Sequence, residues 1–306
     1  MKTKTKMQLA NAPCSWGVLE FDLGAAAGYE RVLDEMAQSG YDGTELGDWG
    51  FMPTEPERLT AELRKRKLSL LAAFVPIALA NVGALEEGVK VAVKTARLLK
   101  SVSNSSGEAP YIVLADDNGT VPLRTKKAGR ITSQDGLTAE QWKQFGANAD
   151  ALARRVLYET GVRTVFHHHA AGFVETPEEV DAFLSNTNPE LIGLCLDTGH
   201  YTFGGGDPLQ AITRYGKRIW HVHFKDCDPA VHAQSRQNDW DYFQSVKQGI
   251  FCELGKGKVQ FSAVLEKLKA LDYTGWIVVE QDVLPGMGSP LESAIRNRKF
   301  LSGIGL

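Results

Sequence analysis

One pattern constrains this 306-residue chain more than any other: a short apolar run followed by a longer amphipathic stretch, repeated eight times from end to end. The runs 8–12, 43–46, 69–75, 111–114, 164–169, 192–196, 219–224 and 276–280 read as strands. The stretches 25–39, 55–66, 86–101, 138–160, 177–185, 208–215, 261–271 and 291–300 read as the helices that follow them. Thr176 and Asp207 each cap a helix that opens with Pro, while Gly40, Gly161, Gly216 and Gly275 mark helix ends or strand starts. Strand then helix, eight times over, predicts an α/β fold of the (β/α)8 TIM-barrel type, with residues 1–306 forming one domain. A doubly wound sheet would place a glycine-rich phosphate turn after its first strand, but the sequence there is NAPCSWG.

The apolar fraction of 43% and charged fraction of 23% suit an ordinary soluble globular protein. A net charge of −3 provides no basic field for nucleic acid or anionic membranes. The cysteines Cys14, Cys195, Cys227 and Cys252 show no CxxC spacing, which fits a reduced compartment. The start, MKTKTKMQLANAPCSWG, lacks an apolar stretch of signal-peptide length, and no later run is long enough to span a membrane. The expectation is a cytoplasmic protein.

Two connections, 116–137 and 227–258, are too long for bare loops. Both follow strands, so both belong to the carboxyl-end face where barrels build their active sites, and they read as lids or substrate walls. The ionisable residues collect on the same face. The second strand ends in Glu45, the fifth in His167-His168-His169, and the sixth leads into Asp197 and His200. The seventh carries His221, His223, Lys225 and Asp226, and the eighth ends in Glu280. Side chains alternate along a strand, so His167 and His169 are expected on the site face, with His168 behind it. Carboxylates and imidazoles crowded at a barrel mouth repel or stay desolvated unless something neutralises them. A divalent cation does so, and mixed His and carboxylate donors suit Mn, Co, Fe or Zn better than Ca.

These motifs resemble a known family. The strand-five histidine cluster, DxGH, HxHxKD and the strand-eight glutamate are similar to the xylose-isomerase-like TIM-barrel superfamily. NAPCSWG, GYDGTELGDWGFMP, HHHAAGFVETPEEVD, LDTGHYTFGGGDP and HVHFKD narrow the likeness to its inosose dehydratase group, across nearly the whole chain. The resemblance implies one divalent metal ion, Mn or Co ahead of Mg, Fe or Zn, held by Asp197, His223 and Glu280. For the fourth ligand, His167 stands where the superfamily usually carries Glu, with His169 and Glu175 as alternatives. Two departures bear on the pocket. The triplet continues HHHAAG where related sequences read HHHMGT, and FKDCDPAVHAQSRQ replaces an arginine-rich loop.

The implied reaction is loss of water from a 2-keto-cyclitol such as 2-keto-myo-inositol, within inositol catabolism. It needs a base beside the carbonyl, an electrophile to hold the enolate and an acid for the leaving hydroxyl. Glu45, His169 and Lys225 are the candidate catalytic groups, and Trp16, Trp49, His200, His221 and Asp226 the candidate substrate contacts. An isomerase or epimerase sharing the same enediolate is the nearest enzymatic alternative, and a catalytically silent sugar-binding barrel the alternative from another class. The expected partner is a small cyclitol or sugar, and a homodimer is compatible with the superfamily.

Overall fold

The computed structural model describes residues 7–18, 27–102, 109–282, 284 and 286–306. Eight parallel strands close into a barrel: β1 (Gln8–Asn11), β2 (Gly43–Glu45), β3 (Ser69–Pro76), β4 (Tyr111–Ala115), β5 (Arg163–His167), β6 (Ile192–Asp197), β7 (Ile219–Phe224) and β8 (Trp276–Val279). Each pairs with its sequence neighbour, and β8 closes on β1 with Gln8 opposite Trp276. The helices expected from periodicity surround it: Tyr29–Gln38, Pro56–Arg66, Leu85–Ser101, Ala139–Thr160, Pro177–Ser185, Pro208–Tyr215, Phe261–Ala270 and Pro290–Gly303. Residues 25 and 26, the expected start of the first helix, lie outside the described residues.

The period-two alternation of each strand divides its side chains between two cores. Leu70, Ile112, Phe166, Leu194, Val222 and Ile277 face the helices in the large outer core. Ala72, Val113, Val165 and Cys195 fill the barrel interior beneath the mouth. A third cluster roofs the barrel. Both long connections fold into short helices, Pro122–Lys127 in one and Pro229–Gln237 and Tyr242–Lys247 in the other. A two-residue antiparallel pairing, Asp226–Cys227 with Phe251–Cys252, closes the second insertion at its base. Ala128, Phe203, Tyr242, Val246 and Phe251 pack together there.

Buried polar contacts lock this roof. Arg124 is fully buried, and its guanidinium makes a two-pronged pair with Glu179 at 2.7 Å on each arm. Its Nε also donates to the Gly172 carbonyl at 2.8 Å. Arg130 donates to the Ser235 and Trp240 carbonyls at 3.1 and 2.8 Å, tying one insertion to the other. Glu175 accepts from the amides of Gly129 at 2.7 Å and Ala171 at 2.8 Å. Such charge-assisted bonds hold only when every buried partner is satisfied.

The fifth strand departs from expectation. It ends at His167 rather than at residue 169, because the His169 amide turns to donate to the Val174 carbonyl at 3.0 Å. Within this turn Ala171 takes φ +67°, a left-handed conformation that a Cβ makes costly. Ala171→Gly should therefore raise stability by about 1 kcal/mol, read as a higher Tm in calorimetry. A lower Tm would show that the methyl group's burial outweighs the backbone cost. Glu175 allows a second test. Burial pushes its carboxyl up to about 7, against the pull of the Ala171 and Gly129 amides and Arg124. The folded chain thus binds this proton more tightly than the unfolded chain, so its contribution falls as pH rises from about 4.5 to 7. Glu175→Gln should flatten the stability–pH curve over that window by up to about 3 kcal/mol. Parallel urea titrations of both proteins check this, and identical slopes would refute it.

Candidate active site

A cavity opens at the carboxyl-end mouth. Its walls include Glu45, His167, His169, Lys225, Glu280 and Asp282, with Cys14, Phe74 and Tyr242 beside them. Each comes from a strand end, the turn just after one, or the roof.

At its floor, His167, Asp197, His223 and Glu280 offer ligand atoms that all lie within 4.8 Å of one another, and all four are buried. The fit to a divalent cation follows from what these atoms lack. Neither ring nitrogen of His167 makes a hydrogen bond, nor does Oδ2 of Asp197, which faces His167 Nε2 only at 3.6 Å, while Nδ1 of His223 lies 3.1 Å from Glu280 Oε1. Orphaned buried acceptors of this kind are costly unless they face a ligand. Asp197 shows how the local sequence prepares one. Its Oδ1 caps the helix Thr198–Phe203 by accepting from the His200 amide at 2.7 Å, which leaves Oδ2 turned towards the cluster. Gly199 in the same DTGH motif is required by close packing, since a Cβ there would lie 2.5 Å from Cγ of Lys225.

A ring of charge surrounds the cluster. Glu45 Oε1 accepts from His221 Nε2 at 2.8 Å and His223 Nε2 at 2.9 Å. Burial alone would raise this carboxyl, but the two imidazoles pull it down to about 2. Glu45 is therefore a carboxylate that orients two rings, and a weak base. Lys225 Nζ lies 3.2 Å from Glu280 and 3.1 Å from Asp282. Against the opposing effect of burial, Asp282, Glu280 and Asp197 hold the Lys225 ammonium well above its ordinary value. Burial would likewise raise Glu280, yet His223 and Lys225 keep it well below the usual carboxylate range.

The histidine triplet divides as its register suggests, although by a different route. His167 ends β5 and faces the cluster. His168 turns away, where its Nε2 accepts from the Asp197 amide at 3.2 Å and its ring meets Tyr201 edge-on. His169 reaches the cavity through the turn rather than along the strand, and its Nδ1 donates to the Ala170 carbonyl at 2.6 Å. Burial, joined by His167 and Lys225, keeps the His169 ring neutral, well below its ordinary value.

Other expected residues lie elsewhere. Glu175, an alternative fourth ligand, is engaged by the two backbone amides and stands outside the cluster. The His200 ring lies 3.8 Å from that of His169, tilted by 36°, and His221 is bonded to Glu45; both are buried and neither lines the cavity. Trp16 donates through Nε1 to Glu35 at 2.7 Å, and Trp49 lies exposed beneath Lys94. Asp226 accepts from four backbone amides, of Cys227, Gly255, Gly257 and Val259, and so anchors the second insertion. The structure brings none of these three to the cavity wall. It adds Asp282, Phe74 and Tyr242, of which Asp282 was readable from its parity with Glu280 in the run EQD.

A family model described as a xylose isomerase-like TIM barrel matches residues 33–302. An inosose dehydratase of Geobacillus kaustophilus is 30% identical over 303 residues, covering 98% of this chain and 95% of that protein. The rhizopine catabolism protein MocC of Rhizobium meliloti is 34% identical over 300 residues, covering 94% of this chain and 85% of that one. Among solved structures, a D-allulose 3-epimerase from Methylomonas sp. matches with a TM-score of 0.69 at 17% identity, covering 98% of each chain. The probable 3-DHS dehydratase AsbF from Bacillus anthracis matches at 0.67 and 14%, covering 97% of this chain and 99% of that chain. At such identities the structural likeness speaks for the fold alone. With a family model across most of its length and relatives aligned nearly end to end, the chain belongs to the xylose isomerase-like TIM-barrel family, in its inosose dehydratase group.

Proposed function

We propose that this protein is a cytoplasmic, divalent-metal-dependent hydro-lyase that removes water from a 2-keto-cyclitol such as 2-keto-myo-inositol, as a step of inositol catabolism. The observation that carries the reading is the buried group His167, Asp197, His223 and Glu280, whose ligand atoms all lie within 4.8 Å of one another beneath the cavity at the mouth. Relatives named inosose dehydratase along nearly the full chain supply the substrate class. Bound by these four residues, Mn or Co would act as a Lewis acid towards the substrate's carbonyl and neighbouring hydroxyl oxygens.

The chain's own groups divide the remaining work. His169 is neutral, and with Nδ1–H given to the Ala170 carbonyl its Nε2 is the accepting nitrogen. It takes the proton from the carbon beside the carbonyl and returns it to the departing hydroxyl, which leaves as water. Lys225 keeps its ammonium throughout and balances the negative charge that develops on the enolate oxygen. Glu45 fixes the tautomer and tilt of His223, much as outer carboxylates orient ligand histidines elsewhere. Tyr242 and the roof exclude water from the reacting atoms.

Incubation with 2-keto-myo-inositol and Mn or Co should produce an ultraviolet-absorbing conjugated enone; an epimer without that absorbance would defeat the reading. Asp197→Asn preserves the helix cap but not the charge, so metal content and turnover should fall together while circular dichroism stays unchanged. Stoichiometric metal in that variant would show the ligand set to be wrong. His169→Gln should retain the metal and lose about 10²- to 10⁴-fold in turnover.

A further inference from the structure

Beneath the four-residue cluster lies a second donor set. Cys195 precedes Asp197 by two residues on β6, so it shares the inward face one layer deeper, among Ala72, Val113 and Val165. It sits in register with His167 of β5 and with His221 of β7. The ligand atoms of His167, Cys195 and His223 also lie within 4.8 Å of one another, all of them buried. His167 is only 2% exposed, and neither of its ring nitrogens makes a hydrogen bond, Nε2 standing 3.6 Å from Asp197 Oδ2. A sealed imidazole that makes no hydrogen bond stands between carboxylates above and a thiol below.

We infer that the barrel mouth contains two overlapping cation seats that share His167 and His223. The upper one, completed by Asp197 and Glu280, suits harder ions such as Mn. The lower one is completed by the Cys195 sulfur and takes thiophilic ions such as Zn or Cd, because thiolate prefers soft cations and carboxylate hard ones. An ion entering the lower seat forms a metal–sulfur bond and replaces the thiol proton, which leaves to solvent. The shared histidines make occupancy mutually exclusive, so a thiophilic ion lowers activity by releasing the working metal to solvent while itself sitting one layer below the cavity. The inference concerns metal choice alone and stands whichever reaction the upper seat supports.

The test uses the full-length protein stripped of metal with chelator and titrated with cadmium. One equivalent should produce the ultraviolet thiolate-to-cadmium absorption and a sulfur-shifted resonance in cadmium NMR. Saturating Mn should abolish both, since it claims the shared histidines, whereas cadmium held at Cys227 or Cys252 would be indifferent to Mn. Cys195→Ser should remove the absorption and weaken cadmium binding by about tenfold or more, with Mn affinity by electron paramagnetic resonance unchanged. Cys14→Ser should leave the signals intact. Absorption that survives saturating Mn, or that is lost with Cys14 rather than Cys195, overturns the inference. The Mn competition on the unaltered chain decides the matter even if the Cys195 variant fails to fold.

Discussion

The mouth of this barrel confines carboxylates, imidazoles and an ammonium almost wholly out of water, and the surrounding structure answers to their charge balance. Glu45, Asp197, Glu280 and Asp282 bring negative charge, while His223 and Lys225 answer it within about 3 to 4 Å. At such separations in a low-dielectric interior, removing any one charge leaves its neighbours uncompensated. The arrangement is still incomplete at His167 and at Asp197 Oδ2, which face each other at 3.6 Å without a hydrogen bond to either. That deficit is the physical reason for expecting a cation. It lies at the mouth, among residues carried by β5, β6 and β7 and by the position just after β8.

The roof extends the same logic outward. Two insertions, unrelated in sequence, are joined by Arg130 and clamped to the barrel by Arg124, Glu175 and Glu179. Their apolar faces meet over the cavity around Phe203, Tyr242 and Phe251. A dry roof strengthens every electrostatic contact beneath it, so lid packing and site chemistry depend on one another. The cost appears locally, in the left-handed Ala171 of the turn that swings His169 into the cavity.

Much of this was legible beforehand. The strand and helix order follows from apolar periodicity, and strand-end position alone brought Asp197, His223 and Glu280 to one face. What escaped notice depended on long-range contacts. Glu45 reads as a candidate base until it is seen between His221 and His223, some 176 and 178 residues away, which convert it into an orienting carboxylate. Trp16 and Trp49 read as sugar platforms, yet Glu35 engages one and Lys94 covers the other, since helix packing decides where they point. Asp226 lies next to Lys225, but its carboxylate turns to the backbone of residues 255–259.

The amino-acid sequence by itself determined the closed parallel barrel, the end of it that carries the chemistry and the residue types available there. Periodicity and strand-end position are local properties, written within a few residues of one another. Only the tertiary structure decided which of those groups face one another, which are neutralised by distant partners and which remain unsatisfied. Pairing energies in a buried site depend on distances of a few ångströms between segments far apart in the chain, and the folded backbone alone sets those distances.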